Sequence, residues 1–183
     1  MVSVVCSNAL NRAVLEFGLT EPGHILDKTR ELVLETFSKS NDSVKDGMDI
    51  SLISIQDSVS DNEQITINWS GANNPLWFFK SGMLNEIKPH KQPIGVTENA
   101  TCFPTHPLSL KKGDTLFLFT DGFADQFGGV SGKKYKGARF KELLVSINNQ
   151  PIKKQYEMID NVFIDWKGNL EQVDDICVIG IRL

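Results

Sequence analysis

Lys112–Gly129 reads KGDTLFLFTDGFADQFGG: an apolar run from Thr115 to Phe119 ends directly on Thr120-Asp121-Gly122, with a second aspartate, Asp125, four positions further on. A strand this apolar is buried, and a carboxylate at its end is costly unless it is paired, hydrogen-bonded or bound to a metal. Gly122 lets the backbone turn sharply, and Asp125 returns a second acid to the same neighbourhood. Another acidic cluster, Val173-Asp174-Asp175-Ile176, stands 53 positions after Asp121, at the start of the last apolar run. If the two runs are neighbouring strands, three or four carboxylates converge at one sheet edge.

Outward from this stretch, the middle of the chain reads as strands. Asp49 to Gln56 and the alternating Ile65, Ile67 and Trp69 form one expected hairpin across the polar turn Asp57 to Glu63. Pro75 to Lys80 and Met83 to Lys88 flank Ser81-Gly82 as a second hairpin. Ahead of them, Val5, Ala9, Leu10, Ala13, Val14 and Phe17 follow a helical period up to Gly18. Thr20 then reads as the N-cap of a second helix, with Pro22 in its first turn and Ile25, Leu26, Leu32, Val33 and Phe37 on one face. Ser38 to Lys45 reads as a loop. Helices over Arg139 to Asn148 and Ile152 to Trp166 precede a last strand over Val173 to Arg182. Helices, antiparallel strands, helices and a strand, in that order, argue for an α+β fold, since a doubly wound parallel sheet would alternate its elements.

The chain has 183 residues, 40% of them hydrophobic, enough for one sizeable core and a single domain over residues 1–183. A formal charge of -4 argues against a general nucleic-acid or membrane-surface binder, because such binding needs clustered Lys and Arg. Cys6, Cys102 and Cys177 have neither disulfide-framework nor zinc spacing, which fits a reducing cytoplasm. No apolar run approaches the roughly 20 residues of a membrane span.

Clustered carboxylates suit Mg²⁺ or Mn²⁺, hard ions that keep several waters. One such ion, or a pair about 3.5–4 Å apart, acidifies bound water and clamps a phosphoryl oxygen, the chemistry of metal-assisted phosphoester hydrolysis. Taken alone, each motif also has a plainer reading. TDG is a turn in which Asp caps backbone amides, and Asp-Asp before a strand is a solvated edge. His24, His90 and His106 are scattered and read as surface or loop residues. Asp46-Gly47-Met48-Asp49 reads as a turn, Trp69, Trp77 and Phe78 as core, and Lys133 to Lys136 as a solvated loop.

Four segments in order carry a resemblance: WSGANNPLWFF (Trp69 to Phe79), KQPIGV (Lys91 to Val96), KKGDTLFLFTDGFADQFGG (Lys111 to Gly129) and VDDICVIGIRL (Val173 to Leu183). Together they resemble the phosphatase domain of the sporulation stage II protein E (SpoIIE) type, a bacterial branch of the metal-dependent PP2C-like (PPM) serine/threonine phosphatases. The resemblance implies a PP2C-like sandwich of two antiparallel β-sheets flanked by helices. It also implies hydrolysis of phosphoserine or phosphothreonine by a metal-activated water, with two Mn²⁺ or Mg²⁺ ions. Asp121 and Asp174 match the family's metal-binding, catalytic aspartates, and Gly122 makes the turn. Asp125 matches a position that in some relatives helps hold a further ion, and Asp175 is expected to cap or hydrogen-bond near the turn.

The sequence departs from the family in two places. Upstream Gly-Asp and Asp-x-x-Gly-His-Gly segments have no counterpart, and MVSVVCSNALNRAV resembles the helix that follows them. The expectation is therefore a C-terminal portion of a longer phosphatase, lacking its first strands and part of its metal site, with little or no activity by itself. Exposed sheet edges then favour a homodimer. Asn73 stands where many relatives carry His, and is read as a structural turn residue. The implied partners are a phosphorylated regulatory protein, anti-anti-sigma-like, and an upstream sensor region, with no nucleic acid and no membrane contact. The competing expectation is a non-catalytic protein-interaction module on the same scaffold.

Overall fold

A computed structural model describes residues 2–38, 47–55 and 64–183. The expected turn Asp57 to Glu63, nearly all of the loop Ser38 to Lys45, and Asp46 lie outside the described residues. The chain divides into two compact units. One holds the described residues up to Leu76 together with Ile87–Lys112, and the other holds Trp77–Glu86 and Gly113–Leu183.

The first unit begins with two helices, α1 (Val2–Leu15) and α2 (Pro22–Ser38). Cys6, Ala9 and Ala13 form the buried seam of α1, small side chains that let a partner helix come close. Val14 and Phe17, expected on the buried face, are 41% and 45% exposed. Val14 is one position off the seam, and Phe17 lies beyond the helix end, where the Lys28 ammonium sits 4.3 Å from its ring centroid. Helix α2 starts at Pro22, so its cap falls on Glu21 and not on Thr20. The Glu21 carbonyl accepts the Ile25 N–H at 2.9 Å, and Pro22 occupies the first helical position, where a missing N–H costs nothing. Ile25, Leu26, Leu32 and Val33 are buried as their spacing predicts.

These helices pack on an antiparallel sheet of β1 (Ile50–Ile55), β2 (Gln64–Ala72) and β5 (His106–Lys111), in that order. Ile53 faces Trp69 across the first pair, where Trp69 Nε1 donates to the Ser51 hydroxyl at 2.7 Å. The third strand, His106–Lys111, escapes a sequence reading because Pro107 argues against a strand. It is tolerated because this is an edge, while Leu108 and Leu110 supply the period-two face.

The second unit carries β3 (Leu76–Lys80), β4 (Met83–Ile87), β6 (Thr115–Phe119) and β9 (Val178–Arg182) in a sheet ordered β4-β3-β6-β9. Ser81 and Gly82, at φ 51° and 80°, form the tight turn expected between β3 and β4. After β6 come a single helical turn α3 (Gly122–Asp125), a small hairpin of β7 (Phe127–Gly128) and β8 (Lys133–Lys134), and helices α4 (Gly137–Ile147) and α5 (Ile152–Lys167). The solvated-loop expectation for Lys133 to Lys136 is thus corrected: two lysines enter a hairpin, and Tyr135 is buried because its ring meets Phe123 and Trp166 edge-on. The core is aromatic, with Phe123 stacked on Phe140 at 4.4 Å and Trp77 against Phe119 at 4.3 Å.

Helices with two antiparallel sheets bear out the α+β reading. The three cysteines are unpaired, and no helix among the described residues is long and apolar enough to cross a membrane.

Candidate metal-binding junction

Strand β6 is buried from Thr115 to Leu118, with Phe117 inside the aromatic core and Phe119 packed against it. Burial fades at Phe119 and Thr120, so Asp121 emerges exposed at the strand's end. This answers the desolvation cost that an acid beyond such a strand would otherwise incur. Asp121 is the N-cap of α3 with φ -72° and ψ -17°, and its carboxylate makes no capping hydrogen bond to that turn. Its carbonyl accepts the Asp125 N–H at 2.9 Å, which closes the turn and sets the two acids at i and i+4.

Thr120 joins this turn to the second acidic segment. Its hydroxyl donates to the Asp175 carbonyl at 2.9 Å and accepts the Cys177 N–H at 3.0 Å, while its own N–H donates to the Cys177 carbonyl at 3.0 Å. Gly122 closes the join. A Cβ built there would stand 2.5 Å from the Asp175 carbonyl oxygen, so only glycine permits the contact. Asp121 and the Asp174-Asp175 pair therefore belong to one junction between β6 and the approach to β9.

Residues 173 to 177 do not extend β9, which begins at Val178. The last strand is shorter than Val173 to Arg182 because side chains of the first segment take up the backbone groups of the second. Gln126, fully buried, donates its amide to the Glu171 and Phe127 carbonyls, both at 2.9 Å, and accepts the Val173 N–H at 3.4 Å. Trp166 Nε1 and the Tyr135 N–H both donate to the Gln126 carbonyl, at 3.0 and 2.9 Å. Gln126 thus fixes the chain just before Asp174.

The expectation that three or four carboxylates converge is corrected by their local partners. Asp174 Oδ1 accepts the Asp175 N–H at 2.7 Å, and with its carbonyl on the Thr120 hydroxyl Asp175 hydrogen-bonds near the turn as expected. Asp125 turns to Lys134 on β8, with 2.9 Å between Nζ and Oδ2. Among the described residues, no group of three or more His, Cys, Asp and Glu side chains is arranged to hold an ion. What the junction offers is a pair of exposed, hard oxygen donors, Asp121 and Asp174, on rigidly joined segments. That donor chemistry fits Mg²⁺ or Mn²⁺ as part of a ligand set.

In the first unit Asn73 takes φ 57°, a conformation Asn tolerates better than most residues, and its amide donates to Asp49 Oδ1 at 2.8 Å. Asn73 stands in a bend after β2, and Asp49 directly precedes β1. His90 Nε2 lies 2.6 Å from the Thr101 hydroxyl, His106 packs against Trp69, and His24 is exposed. The residues that sequence reading missed are Thr120, Gln126 and Lys134. A buried Gln leaves no periodic signal, and Lys134 is legible only once the hairpin returns it to α3.

A family model described as stage II sporulation protein E (SpoIIE) matches residues 1–183. No curated protein matches the chain significantly in sequence. Among solved structures, the SiaA PP2C domain of Pseudomonas aeruginosa is 25% identical with a TM-score of 0.83, over 100% of this chain and 68% of that one. The PP2C phosphatase domain of the cell fate determinant SpoIIE from Bacillus subtilis, solved with a fragment of its regulatory domain, is 16% identical with a TM-score of 0.70, over 99% and 49%. The PPM Ser-Thr phosphatase MsPP from Mycobacterium smegmatis, solved with cacodylate, is 10% identical with a TM-score of 0.61, over 99% and 81%. The chain therefore spans about two thirds of the first of these, half of the second and four fifths of the third.

Proposed function

The chain belongs to the stage II sporulation protein E (SpoIIE) family, and on that premise we propose that its two units act as one metal-dependent phosphatase domain on phosphoserine or phosphothreonine. The observation that carries this reading is the Thr120 bridge, which holds the Asp121 turn and the Asp174 segment side by side around Gly122. Asp121 and Asp174 would hold Mn²⁺ or Mg²⁺. Bound there, such an ion supplies Lewis-acid polarisation of a phosphoryl oxygen and a water acidified for attack.

The chain's own residues do the holding. Thr120 and Gly122 set the spacing of the two acidic segments, and Gln126 secures the approach to Asp174. The Asp175 N–H engages one oxygen of Asp174 and thereby orients that carboxylate. The substrate proposed is a phosphorylated bacterial regulatory protein, anti-anti-sigma-like, in the cytoplasm, with an upstream sensor region as input. The relative from Bacillus subtilis was solved with a fragment of its own regulatory domain, which is in keeping with an upstream input region here. Strand β9 ends its sheet order, and this edge supports pairing with a second copy.

The test is turnover of a phosphoserine peptide with Mn²⁺ by the protein in its full reading frame, beside Asp121→Asn and Asp174→Asn. Each variant keeps side-chain size and removes a ligand charge, and each is expected to lower kcat/KM about a hundredfold or more. Wild-type turnover in both would sink the metal assignment, and no turnover in any of them would favour a protein-binding scaffold.

A further inference from the structure

We infer that Lys134 is the built-in counter-cation of Asp125 and sets how strongly the acidic junction takes up a divalent ion, an inference that rests on the metal-dependent reading above. The Lys134 ammonium stands 2.9 Å from Asp125 Oδ2, so an ion taken up by that oxygen has to compete with it. Asp125 and Asp121 are one helical turn apart, so the ion pair forms beside the acid that ends β6.

The geometry that delivers this ammonium is built into the backbone. Strand β8 pairs Lys134 with Phe127 and Lys133 with Gly128, turning the hairpin back along α3. The next two residues then lock the return. The Tyr135 N–H donates to the Gln126 carbonyl at 2.9 Å and the Lys136 N–H to the Ala124 carbonyl at 2.7 Å, with the Tyr135 ring buried between Phe123 and Trp166. Lys136 accepts φ 74° to complete the reversal, a conformation unfavourable for a residue with a Cβ. Lys134 Nζ also lies 5.9 Å from the Phe127 ring centroid, so its stem runs along the hairpin.

Both partners remain close to half exposed, and exposed pairs are weak enough for a dication to displace. Lys134 therefore acts as a competitor and not as a permanent block. Oδ2 of Asp125 is released for ion binding when the ammonium swings away.

Isothermal titration of the protein in its full reading frame with Mn²⁺ at fixed, low ionic strength tests this. Lys134→Met is expected to tighten binding about three- to tenfold, Lys134→Arg to stay within about twofold of wild type, and the gain to shrink as salt is raised. Asp125→Asn is expected to abolish the gain when combined with Lys134→Met. Circular dichroism confirms that each variant folds. If wild type binds through Asp121 and Lys134→Met, natively folded, binds no tighter, the inference is overturned while the metal reading stands. A gain that survives Asp125→Asn overturns it equally. If neither wild type nor Lys134→Met binds Mn²⁺, the metal reading falls and the inference with it.

Discussion

Where α1 and α2 meet the first sheet, the core is made of small and aliphatic side chains, Cys6, Ala9, Leu26, Leu32, Val33, Ala72 and Ile94, with Phe103 among them. Around Phe123 rings dominate: Trp77, Phe79, Phe117, Phe123, Tyr135 and Phe140 are buried beside Leu144 and Ile147, with Phe163 and Trp166 packed against them. Small residues let backbones approach and leave the exact side-chain geometry loosely specified. Rings add orientation, about 0.5–1.5 kcal/mol per pair beyond buried area. In the aromatic unit that orientation reaches the acidic junction without an intermediary. Phe123 follows Gly122, Tyr135 follows Lys134, and the Trp166 indole donates to the Gln126 carbonyl. Packing and candidate site are therefore one structure in this unit.

The sharpest way to break this contrast is to empty each core in turn. Phe123→Ala is expected to cost about 3–5 kcal/mol in denaturant unfolding and to weaken Mn²⁺ binding, because the ring anchors α3. Leu26→Ala is expected to cost about 2–5 kcal/mol while leaving Mn²⁺ affinity within about twofold of wild type. Equal losses of affinity in both variants would dissolve the distinction between the units.

A smaller effect sharpens the link between core and junction. Gln126→Leu keeps most of the side-chain volume but strips the Glu171 carbonyl and Val173 N–H of their buried partner. Unfolding should become easier by about 1–3 kcal/mol. Protease cleavage within residues 171 to 177 should quicken in the variant, and an unchanged cleavage rate would show that Gln126 does not hold this segment.

The smallest effect separates the two cores by pH, since each buries one group that loses a proton in alkali. Burial pushes the Tyr135 phenol up, with nearby Arg139 opposing and Glu142 reinforcing the shift, and burial alone pushes the Cys6 thiol up. A folded pKa raised above the unfolded one contributes stability below the unfolded value and loses it as pH rises through the folded value. Loss is therefore expected to begin near pH 8.5 for Cys6 and near pH 10 for Tyr135. Cys6→Ala should remove the first phase of an alkaline stability profile and Tyr135→Phe the second. A profile that neither variant alters would show that other groups govern alkaline unfolding.

Much of this architecture is legible in the sequence. The period-two run at Ile65, Ile67 and Trp69, the helical face of α2, the Ser81-Gly82 turn and the burial of Thr115 to Leu118 all follow from local pattern. What local pattern missed depended on distant partners. His106–Lys111 became a strand through pairing with β2 despite Pro107, and Val14 was turned out of the core by the seam that α2 selected. Residues 173 to 177 stayed irregular because Thr120 and Gln126 took their hydrogen bonds.

The candidate site divides in the same way. Sequence alone placed Asp121 beyond a buried strand, put a glycine behind it and located a second acidic pair before the last strand, because these are properties of neighbours along the chain. Tertiary structure decided which of those acids face one another. Carboxylates seek the nearest donor or cation, and Asp174 found the N–H beside it while Asp125 found Lys134, nine residues on and returned by a hairpin. Electrostatic partnership depends on distance in space, and that distance is set only when the aromatic core folds the hairpin back onto α3.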